Sequence, residues 1–277
     1  MKIAITGSTG QIGVPLVQAL SETEHELSVW SKSGRSDTLS ADLTTKTGVE
    51  TLLSGGPFDV IIHLAAQSKP HLAKDEPVLN STAISFILRK ITTDTHVIFA
   101  SSSHVYGTVQ NIPVTTQHPV CPNTPYGIQK LTAEMHCHAH TNTSVLRFFN
   151  CIGFPPKEGT FLYDWSTQIQ NGQNPIVVKN AHEELDLITT KDAAKAIVEV
   201  VIAEERPSII NVCSGKATSL KETLDDAGVE YQSGRNTKKR IIGEAAWLRA
   251  RNWEPNQRIQ QMMIDYLCTQ IQSSRSI

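Results

Sequence analysis

Tyr126 and Lys130 stand four residues apart in the stretch TPYGIQKLTAEM, and that spacing places both side chains on one face of the helix that the run predicts. A phenol ionises near pH ~10 in isolation, and a neighbouring ammonium favours its charged form. Such a pair is suited to handing a proton to a carbonyl. Upstream, VIFASSSHVYG brings hydroxyls at Ser101, Ser102 and Ser103 to the end of an apolar strand, the place where parallel sheets bind ligands. The opening MKIAITGSTGQIG reads as strand, turn and helix, with Gly7, Gly10 and Gly13 in the turn and Pro15 just inside the helix. Glycines there let the backbone bend sharply and let a pyrophosphate approach bare N–H groups at the helix N-terminus. Thr9, Gln11 and Ile12 belong to the same turn.

Such residues need a rigid frame. Short apolar runs at 27–30, 60–64, 96–100, 145–149 and 209–212 alternate with stretches long enough for helices, which predicts an α/β fold with a doubly wound parallel sheet of Rossmann-like type. Val14, Val17 and Leu20 recur at helical spacing after the glycine turn. The irregular region 153–180 marks the start of a small carboxyl-terminal substrate lobe. We therefore expect a dinucleotide-binding domain over 1–150, to which 186–213 return, and a small substrate-binding lobe from 151–185 and 214–277. The chain has 277 residues and a net charge of −2, so no general field draws it to nucleic acid or an anionic membrane. Five scattered cysteines without a C-x-x-C pair suit reduced thiols. No apolar run approaches the ~20 residues of a membrane helix, and a glycine-turn strand stands where a signal peptide would, so a cytoplasmic protein is expected. His136 and His140 lie one turn apart, but no third ligand is spaced to join them, and no metal is expected.

Taken in order, Gly7/Gly10/Gly13, HLAA at 63–66, Ser101 to Gly107, Tyr126/Lys130, RFFN at 147–150, LDLITTKD at 185–192, NVCSGKATSL at 211–220 and NWEP at 252–255 resemble the extended short-chain dehydrogenase/reductase family, in its nucleotide-sugar epimerase/reductase/dehydratase branch. The resemblance implies that Ser102, four residues before Tyr106, bonds the reacting carbonyl or alcohol. Tyr126 then transfers the proton, and Lys130 holds the nicotinamide ribose while lowering the tyrosine pKa. It also implies that Asp42 and Leu43 meet the adenine, that Leu64, Ala65 and Ala66 line the cofactor, and that Ser103 and Asn150 bind substrate. Dehydratase relatives carry an acid pair where Ser103 and His104 stand, which argues against loss of water. His104 then becomes a candidate substrate-side acid or base. Leu185 replaces the arginine usual before that aspartate, and the stretch 233–247 is short for the branch.

Members that bind NAD end the second strand with an acid for the ribose hydroxyls. Here Ser31 stands in its place, followed by Lys32 and Arg35, a set suited to a 2′-phosphate. NADP is favoured and NAD is the alternative. The expected activity is reduction of a 4-keto group on a nucleotide-linked sugar by NAD(P)-dependent hydride transfer. The alternatives are a nucleotide-sugar 4-epimerase that retains NAD and a catalytically silent, NADP-binding redox sensor. A homodimer is also expected, through Ile84, Ile87, Leu88 and Ile91 on one helix and Ile128, Leu131 and Met135 on the next, with Phe86 turned to the sheet.

Overall fold

The structure, a computed structural model, describes residues 1–35, 38–66, 79–237 and 239–274. The first part of the chain alternates strands and helices: β1 (Lys2–Thr6), α1 (Gly13–Ser21), β2 (Glu26–Ser31), β3 (Leu39–Ser40), α2 (Lys46–Ser54), β4 (Val60–His63), α3 (Leu79–Leu88), β5 (His96–Ser102), α4 (Pro125–His138) and β6 (Thr143–Phe148). There follow β7 (Asn150–Ile152), α5 (Phe161–Gln170), β8 (Ile176–Val178), β9 (Glu183–Thr189), α6 (Thr190–Ile202) and β10 (Ile209–Val212). The rest comprises β11 (Ala217–Ser219), α7 (Leu220–Asp226), β12 (Tyr231–Ser233), β13 (Lys239–Ile241), α8 (Ala246–Arg249) and α9 (Ile259–Ser274).

A seven-stranded sheet runs in the order β10-β6-β5-β4-β1-β2-β3, parallel throughout. Helices cover both faces, so the central strands are apolar on both. Alternation sorts them: Ile3, Ile5 and Ile62 join Leu16, Leu20 and Ile197 on one side, whereas Ala4, Ile61, Val97 and Phe99 join Ile84 and Ile87 on the other. Threonine hydroxyls start α2, α4 and α6. Thr45 accepts from Gly48 N–H at 3.0 Å and Thr124 from Gly127 N–H at 3.1 Å, while Thr189 and Asp192 form a reciprocal capping box on α6.

β9 lies in a smaller sheet with β7, β11 and β13, and the chain rejoins the large one through α6 and β10. Buried Asp186 binds this junction: its carboxylate accepts from Ser214 N–H at 2.6 Å, Ser214 Oγ at 2.7 Å, and the N–H groups of Gly215 and Gly243 at 3.0 Å each. Trp253 Nε1 donates to Asp192 O at 3.1 Å, which anchors the NWEP stretch on the first turn of α6.

Two sequence expectations give way. On α1 the buried positions include Leu16 and Leu20, whereas Val14 is exposed. On α3, Ile84 and Ile87 are wholly buried against the sheet, so they cannot form an outer dimer stripe. Phe86 is half-buried and turned toward α2, with Lys46 Nζ 6.0 Å from its ring centroid. A helix on a parallel sheet has to bury one apolar face, and on α3 the sheet takes the richer one. Ile84→Ala is expected to lower the free energy of unfolding by about 2–5 kcal/mol, and Val14→Ala to change it by less than about 0.5 kcal/mol, as read from urea unfolding.

Candidate active site

The carboxyl ends of β1, β2, β5 and β6 converge on a cleft of about 790 Å³. The glycine turn forms its floor. Gly7 adopts φ +69°, and a Cβ built on Gly13 would stand 2.3 Å from Gly7 O, so α1 can begin this close to β1 only at glycine. Gly10 N–H donates to Gly7 O at 2.9 Å, and Ser8 Oγ ties the turn to Trp30 O on β2 at 2.9 Å. Thr6 Oγ1 meets His63 Nδ1 at 2.9 Å and accepts from Ala65 N–H at 3.3 Å. His63 is buried, and burial, with the Lys130 charge adding, pushes its pKa down to about 3.

Gly7, Thr9, Gly10, Gln11, Ile12, Gly13, Ser31, Lys32, Asp42, Leu43, Leu64, Ala65, Ala66, Ser102, Tyr126 and Lys130 all border this one cleft. Residues scattered along some 120 positions of sequence thus meet at one site. The first-turn N–H groups of α1 lack intrahelical partners, and together with the close-packed glycines they suit a dinucleotide pyrophosphate. The segment after β7 meets the same region: Glu158, Gly159 and Thr160 border the cleft, and Lys157 Nζ reaches Thr9 O at 3.3 Å.

At the β2 end, Ser31 is buried. Its hydroxyl shares a hydrogen bond with Thr38 Oγ1 at 2.7 Å and accepts from Gly34 N–H at 3.0 Å. Lys32 Nζ pairs with Asp42 at 3.0 Å. Hydrogen bonds from Thr44, then Lys32, hold the Asp42 carboxyl below its ordinary range. Arg35 is exposed and stands outside the cleft lining, so of the two cations expected around a 2′-phosphate only Lys32 borders the site, and it is already paired.

At the other end, Ser102 accepts from His104 N–H at 3.2 Å and hydrogen-bonds Tyr126. Burial pushes the Tyr126 phenol up to about 12, with the Ser102 bond pulling the other way. Lys130 Nζ donates to Ala100 O at 2.8 Å and lies 5.8 Å from the Tyr126 ring centroid. Burial lowers its pKa to about 8. The ammonium thus sits against backbone and ring, and desolvation of the phenol outweighs the lowering expected from Lys130.

His104 is not in the cleft lining. Its ring stands edge-on to Tyr126 with centroids 5.4 Å apart, and its Nδ1 is 3.5 Å from Thr124 Oγ1. Burial, then the charge of Lys239, disfavours its protonation. Ser103 is buried, and Asn150 Nδ2 donates to Asp186 O at 3.3 Å; neither borders the cleft. Sequence reasoning missed Trp30, Thr44, Phe148, Phe149, Cys151 and Thr160, which do. These are apolar, thiol or lone hydroxyl side chains with no motif of their own, and only packing brings them to the site.

A doubly wound parallel sheet with a glycine turn at β1 and a Ser-Tyr-Lys set at the other end of one cleft defines an NAD(P)-dependent protein of the short-chain dehydrogenase/reductase type. Residues 3–213 match the NAD dependent epimerase/dehydratase family, and the chain belongs to that family. UDP-glucose 4-epimerase 4 of Oryza sativa subsp. japonica is 28% identical, over 81% of this chain and 69% of its own length. Among solved structures, RMD from Pseudomonas aeruginosa complexed with NADPH superposes with a TM-score of 0.81 at 23% identity, covering 98% of this chain and 99% of that one. UDP-glucose 4-epimerase with UDP-glucose from Thermotoga maritima superposes with a TM-score of 0.83 at 20% identity, covering both chains fully at 100%. Among the described residues no helix is long and apolar enough to cross a membrane.

Gly13→Ala is expected to weaken dinucleotide binding at least about tenfold, ~1.4 kcal/mol, in a fluorescence titration, with the far-ultraviolet circular dichroism unchanged. Undiminished affinity would mean that the turn yields without loss and is not the binding element.

Proposed function

We propose that this protein carries out hydride transfer at the 4-position of a nucleotide-linked sugar, with Tyr126 as the proton-transfer group, and that the net reaction is 4-epimerisation. The observation that carries the reading is the convergence of Ser102, Tyr126 and Lys130 at the end of the cleft whose other end is the glycine turn. The bound nicotinamide supplies or accepts the hydride. Ser102 receives a backbone N–H from His104, which leaves its single O–H to donate to Tyr126 or, with substrate bound, to a substrate oxygen. Burial favours the neutral Tyr126 phenol, the form that returns a proton to the carbonyl in the second half of epimerisation; in the first half the phenolate would take that proton from the sugar hydroxyl as the hydride leaves. Lys130, seated on the end of β5, is positioned to grip ribose hydroxyls. The intact set argues against a silent redox sensor, and epimerisation is supported by relatives such as the rice 4-epimerase.

A second reading, net reduction of a 4-keto sugar with NADPH, rests on Ser31, which stands where an acid would bond the ribose. Binding of a 2′-phosphate there would require Lys32 to leave Asp42. In either reading the smaller lobe, built mainly from 151–185 and 214–277, receives the sugar, while Ser103, His104 and Asn150 act from just behind the cleft wall.

With UDP-glucose as probe, formation of the 4-epimer without net consumption of dinucleotide is the expected outcome. Consumption of NADPH by a 4-keto nucleotide sugar, with no epimer formed, would select the second reading. Tyr126→Phe keeps the ring and removes the transferable proton, so turnover is expected to fall at least ~10²-fold with dinucleotide affinity preserved. Near-normal turnover in that variant would remove Tyr126 from its role.

We also propose that the protein is a homodimer, through the outer side of α4 instead of the α3 stripe. Ile128 and Met135 are 53% and 66% exposed there, with half-buried Leu131 between them. Met135→Arg would place an unpaired charge in the contact and is expected to yield a monomer by light scattering. A monomeric unaltered protein at micromolar concentration would refute the dimer.

A further inference from the structure

Three successive turns of α4 grip the last three residues of β5. Ser102 hydrogen-bonds Tyr126, Ala100 O accepts from Lys130 Nζ at 2.8 Å, and Ser101 Oγ donates to Glu134 Oε1. Glu134 is wholly buried. It also receives Arg147, through Nη2 at 2.7 Å and through Nε at 3.1 and 3.2 Å to its two oxygens. Arg147 stands beside Ser101 in the β5–β6 register and gives its Nη1 to Tyr106 OH at 3.1 Å. Tyr106 in turn donates to Asn211 Oδ1 at 2.7 Å. Five segments of the large domain therefore fix one carboxylate.

A buried ion pair is poor value as a stabiliser, because desolvation cancels most of the attraction and apolar residues of similar volume serve as well or better. Its location suggests another use. Burial is what pulls Lys130 down, and the charge of Glu134, one turn further along the helix, is the foremost group opposing it. The other titratable groups around Lys130 carry no negative charge at neutral pH. On α4 the Tyr126 phenol and the Cys137 thiol are each pushed up to about 12. On β4, His63 is neutral. On β6, Arg147 is turned onto Glu134.

We propose that Glu134 is a positioning residue for proton transfer: its carboxylate, clamped by Arg147 and Ser101, keeps the buried Lys130 side chain charged and seated at the end of β5. This rests on the reading that Lys130 belongs to the reacting set. Below its midpoint Lys130 is an ammonium, and the charge is lost as pH rises through that midpoint. Loss of the Glu134 charge lowers the midpoint and narrows the charged range from the alkaline side.

The test follows the Lys130 midpoint by NMR in the full chain carrying ¹³Cε-lysine, with the Lys130 signal identified as the one missing from Lys130→Met. Glu134→Gln is expected to lower the midpoint by at least about one pH unit, a tenfold smaller ammonium-to-amine ratio above it. Because Glu134→Gln leaves a buried guanidinium unpaired, the deciding variant is Glu134→Gln with Arg147→Met, in which no charge is orphaned. Under the proposal this pair folds and keeps the lowered midpoint. A midpoint restored to that of the unaltered protein would make Glu134 merely the partner of Arg147 and overturn the proposal. Failure of the double variant to fold would do the same, by making the pair a folding requirement. The titration needs no substrate, so it stands apart from the assignment of the reaction, which the epimerase and reductase assays decide. Where activity is present, the alkaline limb of kcat/KM is expected to move with the midpoint.

Discussion

A parallel sheet covered by helices on both faces has almost nowhere to put polar side chains except the ends of its strands, and the carboxyl ends are where such sheets bind ligands. This constraint governs the molecule. β1, β4, β5 and β6 are apolar through their middles and turn polar near their ends at Thr6, His63, Ser101, Ser102 and Arg147, all buried. Buried polar groups need partners, and these find them in one another or in α4: Thr6 in His63, Ser101 and Arg147 in Glu134. Satisfying the strand ends and assembling the site are therefore one requirement, because the clasp that answers Ser101 and Arg147 also aligns Tyr126 and Lys130 over the cleft.

The same logic explains the electrostatics. Lys130 and His63 are buried and Tyr126 is half-buried at the cleft wall, and in each desolvation is the foremost influence, pushing the phenol up and the two bases down. A site of this kind favours neutral groups unless a fixed charge is supplied. Glu134 supplies one on the protein side. At the opposite, more open end the Lys32–Asp42 pair is substantially exposed, at 75% and 38%; solvent screens it, and such pairs contribute little to stability. That end can rearrange around a ligand at small cost, whereas the closed end cannot.

The segments after β10 are held to the large sheet by an apolar seam, in which Ala245, Leu248 and Trp253 share a cluster with Phe148, Phe149 and Val212, and by polar staples. Asp186 gathers four donors from two segments, Ser214–Gly215 and Gly243, and Lys157 reaches across to the glycine turn. A separate apolar cluster joins α5, α7 and α9, with Leu162, Trp165, Leu224 and Met263 among its members.

The sequence by itself determined the alternation of strands and helices, the glycine turn and the Tyr126/Lys130 face, because each rests on local periodicity or on backbone freedom at a few positions. The expected strand at 209–212 coincides with β10. Which side of a helix meets the sheet was not legible: Ile84 and Ile87 carry the same pattern whether they face a core or a partner chain, and only the placement of α3 sent them inward. The roles of Lys32 and Arg35 were equally hidden, since a charge's value depends on whether it borders the cleft and on what has already claimed it. Glu134 and Arg147 had no local signature joining them. Thirteen residues and a change of element separate them, and their pairing, like the company of Phe149, Cys151 and Thr160 in the cleft, was decided only by tertiary packing, because burial and charge compensation are properties of the folded neighbourhood and not of the chain.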